Sequence, residues 1–296
     1  YLKTQNFDDT KILTNLTFYF AIAYRIIPSF NKILTQYQRI KYSKNSVDLI
    51  SDILALPNQR IISLKENNEV NFRKIKIEKY NFSYDDNKNI LSNINFEIKK
   101  GEIVGIFGDS GSGKSTLLNL ICLLLKSSNG NFYFNDKIVK NEYEIKKIQE
   151  IITFVSQDTF LIDDSIKNNI IFHNNDEFNL EKFSHSLKFS YLDDLVNSIQ
   201  DGVDYNVGSN SRKISSGQKQ RIALARAIYN LRQILILDEA TNALDEKTEK
   251  NIINNIQKLK THTSIILVSH NKNNLAICDK TYEVKNNKLE LVENKH

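Results

Sequence analysis

Residues Gly108 to Thr116 read GDSGSGKST, with the spacing G-x-x-x-x-G-K-[ST] of a phosphate-binding loop. An apolar run, Ile103–Phe107, leads into the loop, and Leu117, Leu118, Leu120 and Ile121 follow it. This is the strand–loop–helix setting that such a loop requires. Gly108, Gly111 and Gly113, with Ser110 and Ser112 between them, let successive backbone N–H groups face one concavity able to cradle phosphate oxygens. The helix that starts after the loop adds its positive N-terminal end. Lys114 supplies a charge for the β- and γ-phosphates, Ser115 a hydroxyl for Mg²⁺, and Thr116 closes the motif. The expectation is a bound nucleoside triphosphate.

Two further strings carry chemistry. Ile234–Leu237 is an apolar run ending in Asp238 and Glu239. A strand of this kind would be buried, with both carboxylates at its carboxyl end, where open α/β sheets bind ligands. Asp238 is suited to hold Mg²⁺, directly or through water, and Glu239 to polarise the water that attacks a γ-phosphate. Taken alone, the pair also reads as a solvated acidic turn. The string Ile214 to Arg221, ISSGQKQR, precedes a helical run, Ile222–Tyr229. Ser215, Ser216, Gly217 and Gln218 would put hydroxyls and free N–H groups at a helix N-terminus, an anion site. The bland reading there is a serine N-cap.

These motifs sit in a chain of 296 residues, long enough for one large domain with an appendage or for two domains. Hydrophobic content of 41% and charged content of 25% are those of a globular protein. The net charge of +5 suits, at most, a weak preference for anionic membrane surfaces and gives no reason to expect nucleic-acid binding. Cys122 and Cys278 lack metal-ligand spacing and fit a reducing compartment. The sequence opens on Tyr1 and has no Met, which leads to the expectation of a segment of a longer protein.

From Asn71 onward, short β-rich runs alternate with turns and then with helical patterns: 75–84, 90–98, 103–107, 131–139, 151–155, 234–237 and 264–268. That alternation predicts an α/β fold with a mostly parallel sheet. Residues 163–205 carry helical spacing alone, and 280–292 reads as a closing hairpin. Upstream, residues 11–27 are the most apolar stretch, but only 12–24 is free of charge, short of the roughly 20 residues that span a bilayer. After Pro28, Phe30, Ile33, Leu34, Tyr37 and Ile40 recur at helical spacing, and Arg39, Lys41 and Lys44 suit a cytoplasmic flank. A separate helix is predicted from about Val47 to Leu56, stopped by Pro57, followed by a polar linker, 58–70.

In this arrangement the chain resembles the ATP-binding cassette family over about Asn71 to Val292. The string ISSGQ is similar to that family's signature, usually LSGGQ. The resemblance implies a RecA-like phosphate-loop NTPase core with an antiparallel β subdomain and a helical subdomain at about 163–228, together spanning 71–296. It also implies a role for several residues that spacing alone would not single out. Tyr84 matches the aromatic that stacks on adenine, and Gln157 the glutamine that reaches Mg²⁺ and the attacking water. Asp245 in TNALD matches the loop that links two sites across a dimer, and His270 the histidine that contacts the γ-phosphate. Catalysis would rest on Glu239, His270 and Gln157, with ATP and Mg²⁺ bound and Ser115, Gln157 and Asp238 around the metal. The sequence departs from the pattern at Ser216, usually glycine, and at Ser209, usually acidic.

Membrane span first and cassette second is the exporter arrangement of this family. By that resemblance, residues 1–57 are expected to be the helical remnant of a transmembrane domain and its cytoplasmic extension. The segment Arg25–Lys32 is similar to bacterial exporters that flip lipid-linked oligosaccharides. The expected partners are a second copy of the chain, its own transmembrane domain and membrane lipid. The expected location is the bacterial inner membrane, with the cassette on the cytoplasmic side. A peptide, drug or lipid exporter is the neighbouring alternative. A soluble cassette ATPase acting on nucleic acid or ribosomes is the more distant one.

Overall fold

The computed structural model describes residues 9–55, 70–84, 89–172, 178–208 and 213–292. The chain divides into two units, Tyr1–Ser63 and Leu64–His296. The first contributes a single helix, α1 (Asp9–Ala55, 47 residues). Two helices separated near residue 45 were expected from the sequence. Instead, α1 runs unbroken through Pro28. Pro28 removes one backbone donor, but the segment contains no glycine and no second proline, so nothing else ends the helix. Thr14, Thr17 and Thr35 donate their hydroxyls to carbonyls four residues back, so these polar groups are satisfied within the helix. Leu16, Phe20, Ile33 and Ile40 are exposed along it. Among the described residues, no helix is long and apolar enough to cross a membrane. Pro57 and the linker up to residue 69 lie outside the described residues.

The second unit begins with β1 (Lys74–Phe82) and β2 (Leu91–Lys99), an antiparallel pair. Then come β3 (Ile103–Phe107), α2 (Lys114–Ile121), β4 (Asn129–Phe134), β5 (Lys137–Ile138), α3 (Glu142–Gln149) and β6 (Ile152–Val155). The run expected as one strand at 131–139 is two, because Asn135 and Asp136 adopt left-handed backbone angles (φ 49° and 69°) and turn the chain. Likewise β1 ends at Phe82, which leaves Tyr84 in a bend beyond the strand. Three short helices follow, α4 (Ile166–Ile171), α5 (Leu180–Phe189) and α6 (Asp193–Ser198), as the helical spacing there predicts. The chain continues through α7 (Ser216–Tyr229), β7 (Ile234–Asp238), α8 (Glu246–Leu259) and β8 (Ser264–Val268). The hairpin β9 (Lys280–Lys285) and β10 (Lys288–Val292) closes it.

Two sheets result. One has four strands in the order β2-β1-β4-β5, all antiparallel. The other has six, β10-β9-β3-β8-β7-β6, parallel except for β10. This is a mixed α/β fold with a phosphate-loop core, an antiparallel sheet and a helical segment. Strands β7 and β8 are buried at every position, as expected for central parallel strands covered on both faces. One apolar core lies between the two sheets around Leu117, Leu118 and Leu120 of α2, each fully buried. Burial of each such side chain contributes about 1.5–3 kcal/mol. A second core joins the other face of the parallel sheet to α7 and α8. A third is local to α4, α5 and α7.

The parallel register determines where the chemistry gathers. Because β3, β6, β7 and β8 run in one direction, the loops that leave them emerge at one edge. Close packing holds β3 in place. A Cβ on Gly105 would lie 3.0 Å from Cys278 Sγ, 3.1 Å from Leu275 Cδ2 and 3.3 Å from Thr281 Cγ2. Gly105→Val is therefore expected to overpack this face and destabilise the fold by about 1–3 kcal/mol, read as a lower urea midpoint at unchanged slope.

Candidate nucleotide site

The loop after β3 wraps the start of α2. Gly108 has φ +153°, and a Cβ there would stand 2.4 Å from the Val284 carbonyl oxygen, so only glycine fits. Gly113, at φ +102°, is the N-cap residue of α2 and offers no side-chain acceptor, so the first amides of the helix remain available to an anion. Ser110 and Gly111 lie on the exposed outer part of the loop. The hydroxyl of Ser112 is buried without a hydrogen-bond partner. Lys114 is 6% exposed, and its ammonium donates to the carbonyls of Gly108 (2.9 Å) and Asp109 (3.0 Å). The loop is thus closed around its own lysine, with the charge held where phosphate oxygens would enter.

Beneath the loop, Ser115 Oγ donates to Asp238 Oδ2 at 3.1 Å. Asp238 is buried and its other oxygen, Oδ1, has no partner. Burial pushes its pKa up; the Ser115 hydrogen bond opposes that shift, and the neighbouring Glu239 charge adds to it. A buried carboxylate with one orphaned oxygen beside a serine hydroxyl is a donor set that suits a hard divalent cation such as Mg²⁺. Among the described residues, no three His, Cys, Asp or Glu side chains are grouped to hold a metal by themselves.

Glu239 is the most heavily engaged side chain at this edge. It is 6% exposed and adopts φ +50°, an uncommon angle for a non-glycine residue. His270 Nε2, from the loop after β8, lies 2.6 Å from Glu239 Oε1. Gln157, from the loop after β6, donates to Glu239 Oε2 at 3.0 Å. Lys114 Nζ is 3.9 Å from Oε1. The four sequence-predicted residues Lys114, Gln157, Glu239 and His270 therefore meet, although they are separated by as much as half the chain.

Tyr84 stands apart from this cluster. Its ring packs edge-on to Phe82 with centroids 4.9 Å apart, its hydroxyl lies 3.4 Å from Thr116 Oγ1, and the side chain is 59% exposed. The signature residues are likewise not brought to the loop of the same chain: no hydrogen bond among the described residues joins 215–218 to 108–116. Ser215 caps α7, accepting from the Gln218 amide at 3.2 Å while Gln218 Oε1 accepts from the Ser215 amide at 2.8 Å. The simple capping reading is thus realised, and Ser215 and Ser216 remain exposed. Gly217 is the constrained position, because a Cβ there would be 2.8 Å from the Ala243 carbonyl oxygen. Asp245 caps α8 by accepting from the Thr248 amide, and hydrogen bonding from the Thr248 side chain, with that amide second, holds its carboxyl below the usual range. Ser209 lies outside the described residues.

Two residues were not foreseen from the sequence. Asn242 donates to Glu239 Oε2 at 2.9 Å. Gln220, on α7, accepts from the Ala243 amide (2.9 Å) and lies 3.4 Å from the Glu239 carbonyl, to which its amide donates. The available signal was the polar residue three positions after the paired carboxylate, a spacing that a turn brings back on itself.

Residues 91–242 match the sequence model of the family described as ABC transporter. An ATP-dependent lipid A-core flippase of Ralstonia nicotianae is 34% identical over 209 residues, covering 70% of this chain and 35% of that protein. An uncharacterized ABC transporter ATP-binding protein of Bacillus subtilis, YwjA, is 32% identical over 283 residues, covering 94% of this chain and 47% of that protein. Among solved structures, a bacterial Atm1-family ABC exporter with ATP bound superposes with a TM-score of 0.70 at 28% identity, over 76% of this chain and 39% of that one. The chain spans less than half the length of these relatives. With its phosphate loop, paired carboxylates and signature helix assembled on this fold, the chain belongs to the ABC transporter family.

Proposed function

We propose that this chain is the ATP-hydrolysing part of an exporter that moves a lipid-linked or otherwise amphipathic substrate across the bacterial inner membrane. The observation that carries the ATPase reading is the hydrogen bond from Ser115, in the lysine-centred phosphate loop motif, to the buried Asp238, whose other carboxylate oxygen has no partner. In this reading Lys114 leaves the Gly108 and Asp109 carbonyls for the β- and γ-phosphates, and the amides at the start of α2 hold the remaining oxygens. Tyr84 offers its open ring face to the adenine base. Ser115, Asp238 and Gln157 would hold Mg²⁺, which would supply positive charge to offset that of the phosphates. Glu239 orients a water and takes its proton as the water oxygen bonds to the γ-phosphorus and the bond to the β-phosphate oxygen breaks. His270 moves from Glu239 toward the γ-phosphate.

The signature residues supply the argument for a second copy. Ser215 and Ser216 are exposed and, among the described residues, 215–218 make no hydrogen bond to their own phosphate loop, so in this reading they serve a nucleotide held by a partner, with Asp245 along the same junction. Two cassettes closing head to tail would complete two sites. The long helix α1 fits the cytoplasmic extension of a transmembrane domain in the same protein, and the cassette then lies on the cytoplasmic side. The lipid A-core flippase relative supports a lipid-linked cargo.

Two measurements test the chemistry. Glu239→Gln is expected to lower ATP turnover by about 100-fold or more and to accumulate an ATP-bound dimer on size exclusion; turnover at the unsubstituted rate would reject Glu239 as the base. Asp238→Asn separates metal binding from folding. The fold raises the pKa of Asp238, so the fold favours the protonated form. The cost of the charge is absent below the ordinary carboxylate value and fully present above the raised one. At neutral pH the asparagine variant should therefore melt higher than the unsubstituted protein without nucleotide, yet lose the Mg²⁺-dependent part of ATP binding.

A further inference from the structure

We propose that Asn242 is a positioning residue for Glu239, holding one carboxylate oxygen so that the other is free to meet the attacking water. This rests on the ATPase reading above. Glu239 has two oxygens and four neighbouring donors. Oε1 lies beside His270 (2.6 Å) and Lys114 (3.9 Å), and Oε2 accepts from Gln157 (3.0 Å) and Asn242 (2.9 Å). A carboxylate offers about four lone-pair sites, so with all four donors in place none is left for water. Three of the donors have a second use in the proposed chemistry: Lys114 and His270 toward phosphate, Gln157 toward Mg²⁺. Once they turn to the nucleotide, Asn242 is the donor that stays.

The geometry around Asn242 keeps it there. It sits three residues after Glu239 in the same turn, whose backbone closes with the Asn242 amide donating to the Glu239 carbonyl at 3.3 Å. Gln220 braces that turn from α7, reaching both the Glu239 carbonyl and the Ala243 amide. The Asn242 contact is therefore set by the turn that follows Glu239 and by its brace from Gln220, and Asn242 itself has no second use in the proposed chemistry. Loss of Oε1 partners with retention of the Oε2 contact leaves Glu239 held at one oxygen and open at the other, the arrangement a general base needs.

The test compares Asn242→Ala with Asn242→Asp in the full-length transporter. The aspartate keeps the shape of the side chain and replaces its donor by an acceptor. Asn242 is exposed, so the alanine change should leave the thermal midpoint in place, whereas the aspartate, facing the buried Glu239, should lower it. The alanine variant is expected to lose about tenfold to a hundredfold in kcat, with KM for ATP within about twofold. The aspartate variant should lose more, because two carboxylates then face each other. Unchanged kcat in either variant, or a rise in KM at constant kcat, would overturn the assignment. An aspartate variant as active as the unsubstituted protein would show that only shape matters there. Absence of ATP hydrolysis by the unsubstituted transporter would instead reject the ATPase reading on which the assignment stands.

Discussion

Asp238 and Glu239 stand side by side, both buried, at the end of a strand whose other four residues are apolar. Two adjacent carboxylates in that position are costly unless charge and hydrogen bonds are brought to them. The upper edge of the parallel sheet is organised around that requirement. β3 delivers the Lys114 ammonium and the Ser115 hydroxyl, β6 delivers Gln157, and β8 delivers His270. Glu239 is satisfied on both oxygens, whereas Asp238 keeps one oxygen without a partner. In the proposed chemistry the two would have different tasks: Glu239 as a base among donors that can leave, Asp238 as a place for a cation.

The same edge explains why the signature helix lies where it does. Gly217 permits the Ala243 carbonyl to approach α7 more closely than any side chain would allow. Gln220 then ties α7 to the turn that follows Glu239. The helix with exposed N-terminal serines is thus linked to the turn that follows Glu239 in its own chain. The replacement of glycine by Ser216 falls at an exposed position of that helix end, one residue before the constrained one. Farther along, Thr241 and Asn274 both donate to Glu249 on α8 at 2.8 Å, so the turn after β7 and the segment after β8 share an anchor.

Helix α1 illustrates a limit of local pattern. Its sequence carries an apolar segment, a proline and an amphipathic stretch, which read separately as different pieces. Helical hydrogen bonding is cooperative, and an isolated proline removes only one donor, so the helix, with no glycine or second proline in it, continues through it. The opposite happened at 131–139, where Asn135 and Asp136 reverse the chain inside what looks like one β-rich run. In both places the deciding factor was the conformation of one or two residues, not the hydrophobic pattern around them.

Much of the site was legible in the sequence because its pieces are covalently spaced. A glycine-rich loop between an apolar strand and a helix, or two carboxylates after four apolar residues, keeps its geometry wherever it occurs, and those motifs fold as their spacing requires. Resemblance to the family added Tyr84, Gln157, Asp245 and His270, which spacing alone would have left as ordinary polar or aromatic residues. The sequence by itself therefore determined the phosphate loop, the buried strand ending in Asp238 and Glu239, and the capped helix at Ser215. Tertiary structure alone decided that Gln157, Asn242 and His270 converge on one carboxylate, that Asp238 retains an orphaned oxygen, and that Gln220 braces the turn after Glu239. These are contacts between residues on different strands and helices, set by the parallel register and by side-chain packing at the sheet edge, and no local periodicity records either.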